Sequence, residues 1–283
     1  MARWMTYIKE RYPLPVYILL VSAISLSGFR LFGDQSIAYF RVFYVFICLL
    51  IFFAELRLMD ELKDLDKDVI AHPDRPLPRG LLTTKEVRSA ITLLMLLMLL
   101  LAAFGIMFLS LHSGLLFGFT AFYLLLMYKE FYVGDWLSKR PLLYAITHQV
   151  ILFPVIAFAV SSATPDASFS SPTFLLGLTG LGSFFAYEVC RKLDPDAHPI
   201  LKTYLSVYGL AGTFIIVLAA VLVSAFSAYL MHWHLFLWPF EALLLLSFVF
   251  FLLKPKLFKL VEAMASLSLL VHLSAGLIQY LIK

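Results

Sequence analysis

The chain has 283 residues, of which 62% are hydrophobic and 14% charged, with a mean hydropathy of +0.92 and a formal net charge of +4. A soluble domain carries about 25% charged residues, so a water-soluble fold is excluded. The apolar runs are continuous rather than alternating, which excludes a membrane β-barrel. What remains is an all-α polytopic membrane protein, since helices satisfy their own backbone hydrogen bonds in lipid.

In chain order, apolar runs at 14–33, 37–59, 86–108, 114–130, 141–161, 173–191, 203–228, 235–253 and 259–281 predict about nine transmembrane helices. Each is about 17 residues or more, the length that crosses a hydrocarbon core. The first follows a basic segment, as a signal peptide does, but its apolar run is too long and lacks a small-residue cleavage site, so it reads as a span. The polar segments alternate between basic and nearly uncharged. Placing the N-terminus inside and the C-terminus outside gathers all 22 Lys and Arg on the inside except Arg30, Arg41 and Lys283, as the positive-inside rule expects. The positive charge therefore reports topology and gives no reason to expect a nucleic-acid partner. Cys48 and Cys190 fall in predicted helices and read as free thiols. Residues 1–283 form one domain, and its two distinctive inside loops, about 60–85 and 190–202, are expected to cap an active site.

The first of these loops carries the densest chemistry. Asp60, Asp64 and Asp68 recur at i, i+4 and i+8, which places them on one helical stripe roughly 80° wide. Arg57 lies one turn earlier, and Lys63 and Arg75 flank the group. Carboxylates so arranged repel one another unless a cation joins them. A hard divalent ion such as Mg²⁺ binds through a few carboxylates together with substrate phosphates. The second loop offers Glu188, Arg191, Lys192 and Asp194. Glu188 is informative because an ionisable group in the last turn of a membrane helix is costly and faces a cavity or partner. A faint echo links the loops: Leu65-Asp66-Lys67-Asp68 precedes His72-Pro73, and Leu193-Asp194-Pro195-Asp196 precedes His198-Pro199.

Asp60-x₃-Asp64-x₃-Asp68, followed by Arg75-Pro-Leu-Pro-Arg-Gly80, resembles the first signature of the UbiA-type intramembrane prenyltransferases, Asn-x₃-Asp-x₃-Asp with a downstream Arg-Pro-Leu/Ile-Pro-x-Gly. The resemblance covers the whole chain in topology but only these short stretches in motif. Asp60 stands where the family has Asn. The family's second motif, Asp-x₃-Asp, becomes Glu188-x₂-Arg191-Lys192-x-Asp194, with Lys192 in the second acidic place, as in a divergent branch.

The resemblance implies Mg²⁺ held by Asp60, Asp64 and Asp68 on one side and by Glu188 and Asp194 on the other, these five acids being the catalytic set. It implies that an isoprenyl diphosphate is bound by Arg57, Lys63, Arg75, Arg191 and Lys192. Tyr128, Lys129, Lys139 and Arg140 are phosphate ligands in the same reading, or topology anchors in a plainer one. His148 and Gln149, a polar pair within the fifth span, either face an acceptor cavity or hydrogen-bond between helices.

The expected activity is Mg²⁺-dependent prenyl transfer to an unidentified lipophilic or aromatic acceptor. The expected location is a bacterial inner (plasma) membrane, with the site on the cytoplasmic side. Two alternatives stand: a terpene cyclase of the same superfamily that ionises its diphosphate without an acceptor, and a non-enzymatic lipid transporter or binding protein. A CDP-alcohol phosphatidyltransferase is set aside, because its upstream Asp-Gly-x₂-Ala-Arg is missing.

Overall fold

The computed structural model describes residues 2–32 and 39–282; residues 33–38, where the first predicted span ends and the second begins, lie outside them. Among the described residues the regular structure is entirely helical. Seven stretches are long and apolar enough to cross a membrane, and nine if two bent helix pairs are each one span.

A polar helix, α1 (Ala2–Arg11), meets α2 (Leu14–Arg30) at a 58° bend. The bend sits at Tyr12-Pro13, and a residue preceding proline is pushed out of the helical region. The long α3 (Tyr39–Lys63) and the short α4 (Leu65–Ala71) follow. At 1.5 Å per residue α3 runs about 38 Å, longer than the hydrocarbon core of about 30 Å, so its last turns reach past the apolar zone. Then come α5 (Thr84–Phe108) and α6 (Leu111–Tyr128). Helix α5 opens on a full capping box, in which the Thr83 side chain accepts from the Glu86 N–H and the Glu86 carboxylate accepts from the Thr83 N–H.

After the short α7 (Gly134–Leu137), the fifth predicted span divides into α8 (Pro141–Gln149) and α9 (Leu152–Ser161). The cause is Pro154: it has no N–H for the Val150 carbonyl, and its ring crowds that oxygen. The chain answers with a tighter turn, Phe153 N–H to Val150 O at 3.1 Å. The remaining spans are α10 (Ser171–Cys190), α11 (Tyr204–Leu230), α12 (His234–Leu253) and the pair α13 (Phe258–Leu273) and α14 (Ala275–Ile282), bent by 62°. Helix α11 carries a kink at Gly209, whose φ of +67° suits a residue without Cβ.

The helices close into a ring: α14 packs on α2, α2 on α3 and α9, α3 on α5, α6 on α9, and α10 on α9, α11 and α13. The α10–α11 contact needs Gly182, where a Cβ would lie 2.6 Å from the Ala220 carbonyl. Small residues of this kind let membrane helices approach closely. One consequence matters for function. The ends of α3, α6 and α10 and the starts of α2, α8 and α11 meet at a single polar end of the bundle, where Lys63 reaches Met127 and Tyr144, and the Leu142 N–H donates to Tyr208 Oη at 3.2 Å.

Candidate functional site

The acid stripe is present, though not on one straight helix as its spacing predicts. Helix α3 stops at Lys63 and α4 starts at Leu65, with Asp64 between them at φ −94°, ψ 1°. The helical bonds continue on either side of this bend: Asp64 N–H donates to Asp60 O, and Asp68 N–H donates to Asp64 O.

Beyond the bend the acids differ in their partners. Asp68 is buried and accepts two hydrogen bonds from Arg75 Nη1, at 2.6 and 2.7 Å. Asp64 is half exposed, with Lys67 3.7 Å away, a separation worth little in water. The Asp60 carboxylate has no hydrogen-bond or ion-pair partner among the described residues, while the charges of Asp64, Lys63, Arg191 and Glu188 act on it. Arg75 is thus engaged with Asp68. Arg57, expected to face a diphosphate, instead binds Glu61 at 2.6 Å, as does Arg11. Glu61 was passed over in the sequence; its place four residues after Arg57 was the available signal.

Lys63 forms a second centre. Its ammonium donates to Tyr144 Oη at 2.6 Å, to the Met127 carbonyl at 3.3 Å and to His148 Nε2 at 3.3 Å, which uses all three of its protons. His148 holds its other ring nitrogen 2.8 Å from the Tyr144 carbonyl, so Nδ1 carries the proton and Nε2 accepts. Tyr144 Oη lies 3.4 Å from a Glu130 carboxylate oxygen, and Lys63 lies 3.9 Å from it. Glu130 belongs to an unusual turn: Glu130, Phe131 and Tyr132 have φ of 49°, 53° and 59°, left-handed values that L-residues seldom adopt in succession. The turn sets Phe131 edge-on to His148, with centroids 5.5 Å apart. His148 therefore joins the Lys63 cluster, while Gln149 is buried. Neither Tyr144 nor Glu130 stood out in the sequence, because both are distant from Lys63 along the chain.

Between α3, α6 and α8 lies a small cleft whose walls are Leu56, Met59, Leu124 and Met127, with Asp60, Lys63, Tyr128 and His148 as its polar members. Across from it, the end of α10 is rich in cations. Glu188 accepts from Arg191 Nε at 2.6 Å and pairs with Lys192 Nζ at 2.5 Å. The Glu188 carboxylate raises the pKa of Arg191 above its ordinary value. Asp194 accepts the Asp196 N–H at 3.0 Å and lies within electrostatic reach of Lys259. Lys129, Lys139 and Arg140 are exposed, Lys129 beside the Tyr128 ring and Arg140 stacked 4.3 Å from the Trp136 centroid. The two echoing loops do meet, for α4 packs on the Pro199–Leu201 turn.

Among the described residues no three of His, Cys, Asp and Glu gather tightly enough to hold a metal ion by themselves. Asp60 and Asp64, one turn apart and without close cation partners, suit a hard ion that takes one or two carboxylates and completes its shell with water and phosphate. Asp68 and Glu188 are already saturated by cations.

A model of the UbiA prenyltransferase family matches residues 19–262. The chain belongs to the UbiA prenyltransferase family. Two solved structures share the fold. One concerns digeranylgeranylglyceryl phosphate synthase in membranes, with a TM-score of 0.58 and 18% identity over 97% of this chain and 99% of that one. The other is the apo structure of a UbiA homologue from Aeropyrum pernix K1, with a TM-score of 0.65 and 14% identity over 94% and 98%. Comparison with curated proteins gives no match. The first signature read from the sequence thus belongs to a true UbiA chain, and the polar end of its bundle is where that signature lies.

Proposed function

We propose that this UbiA protein transfers a prenyl group from an isoprenyl diphosphate to a lipophilic or aromatic acceptor within the membrane, with Mg²⁺, at the polar end of the bundle. One observation carries the reading: the unpaired Asp60 of α3, one turn before the half-exposed Asp64, lies within electrostatic reach of the Arg191 cation at the end of α10, beside a small cleft. A diphosphate needs cations around its oxygens, and Arg191 and Lys192 stand at this end of the bundle. Asp60 and Asp64 would hold the Mg²⁺, which when bound neutralises diphosphate charge. Arg191 and Lys192 neutralise the charge that grows on the leaving group as the C–O bond breaks. Lys63, fixed by Tyr144, His148 and Met127, adds a preorganised positive charge. Leu56, Met59, Leu124 and Met127 would give the allylic end apolar neighbours. The basic surround of this end supports an inside, cytoplasmic orientation with the N-terminus inside.

The deciding assay incubates purified protein in lipid with Mg²⁺ and radiolabelled prenyl diphosphates, and follows diphosphate release. Release that requires added acceptors such as quinone-ring precursors supports transfer. Release without any acceptor, giving a cyclic hydrocarbon, assigns the cyclase activity instead. No release at any chain length refutes both and leaves a lipid-binding role.

A further inference from the structure

The two walls of the proposed diphosphate site carry opposite charge. At the end of α3, among the described residues, Asp60 has no hydrogen-bond or ion-pair partner and the following Asp64 only a distant, solvent-exposed one. At the end of α10, Glu188 is flanked by Arg191 and Lys192 at 2.6 and 2.5 Å. The pair and their acid sum to a net positive wall. Asp194, the other acid nearby, accepts the Asp196 N–H within its own turn and lies within electrostatic reach of Lys259. A metal ion approaching Glu188 would have to displace two cations already bound to it, whereas a phosphate oxygen meets donors that Glu188 has aligned.

We infer that the protein binds its diphosphate between one divalent ion on the α3 wall and the Arg191 and Lys192 cations on the α10 wall, with Glu188 a positioning residue for those cations and not a metal ligand. This rests on the diphosphate reading above. Arginine matches phosphate with a planar fork of donors, and lysine adds a compact charge. Together they supply the charge on their side that a second ion would otherwise bring. Both remain 40% and 41% exposed at the side chain, so their unused donors stay available to a ligand.

The test counts metal. Full-length protein in detergent is saturated with Mn²⁺ and geranyl, farnesyl or geranylgeranyl S-thiolodiphosphate, whose C–S bond resists ionisation, and bound Mn²⁺ is quantified by electron paramagnetic resonance. The expected result is one Mn²⁺ per chain in the wild type and in Glu188→Gln, and none in Asp60→Asn/Asp64→Asn. Lys192→Met should weaken analogue binding about tenfold with the Mn²⁺ count unchanged. Glu188→Leu, which frees both cations, should lose affinity similarly, while Glu188→Gln retains it because its amide oxygen can still accept from Arg191. Two Mn²⁺ per chain, or a lower count in Glu188→Gln, overturns the inference but leaves the diphosphate reading intact. Failure of every analogue to bind removes the diphosphate site itself and this inference with it.

Discussion

Replacing Arg75 by methionine tests how the first loop is held. Asp68 is 3% exposed at its side chain, Arg75 is 27% exposed, and the two share two short hydrogen bonds. Removing one partner of a buried ion pair costs about 3–5 kcal/mol, because the remaining charge stays buried. The partial exposure of Arg75 argues for the lower end, about 3 kcal/mol. At about 1.4 kcal/mol per tenfold change, local opening of α4 and the following turn should become roughly 100-fold more frequent. Hydrogen-exchange mass spectrometry of the protein in nanodiscs reads this directly, in peptides covering residues 64–80 whose amides bond within the segment, such as His72 N–H to Asp68 O. The double variant Asp68→Asn/Arg75→Met removes the stranded charge and should recover most of the protection. Unchanged protection in the single variant would refute the structural account. If prenyl diphosphate analogue affinity fell instead, Arg75 would belong to the ligand site, as its motif first suggested.

Three further outcomes follow from the packing. Glu61→Gln should lower the thermal midpoint in detergent at a cost of about 3 kcal/mol, since Arg11 and Arg57 share that buried carboxylate and α1 is tied to α3 through it; an unchanged midpoint would show that the tie is idle. Gly182→Val should destabilise the protein by at least about 1–3 kcal/mol, seen as loss of monodisperse material on size exclusion, because the new Cβ meets backbone atoms of α11. Lys63→Met should lower stability by about 1–3 kcal/mol, because Tyr144 and His148 lose their shared part-buried partner, and should weaken a prenyl diphosphate analogue only through the lost positive charge; a thermal melt beside titration calorimetry separates the two.

The spans were legible because lipid demands long apolar runs, and every predicted run has its helix within the described residues. The family was legible because Asp60, Asp64 and Asp68 keep helical spacing and Arg75-Pro-Leu-Pro follows them. What the sequence concealed were partnerships between side chains, both near and far along the chain. Arg57 and Arg75 look like free cations although Glu61 and Asp68, which bind them, lie only four and seven residues away. Lys63 meets Tyr144 and His148 only because α3 and α8 end side by side. The break in the fifth span was foreshadowed by Pro154, but the bend at Asp64 has no glycine or proline to announce it.

The left-handed turn at Glu130–Tyr132 bears on how this protein tolerates substitution. Each of its three residues bears about 1–2 kcal/mol of backbone strain that glycine would not. Random substitution by glycine there should raise thermal stability, in contrast to glycine in almost any helix. The same replacements delete the Glu130 carboxylate beside Tyr144 or the Phe131 edge against His148. In a saturation scan, abundance and activity should therefore move in opposite directions at Glu130 and Phe131, and at Tyr132, exposed on the outside of the turn, abundance alone should rise.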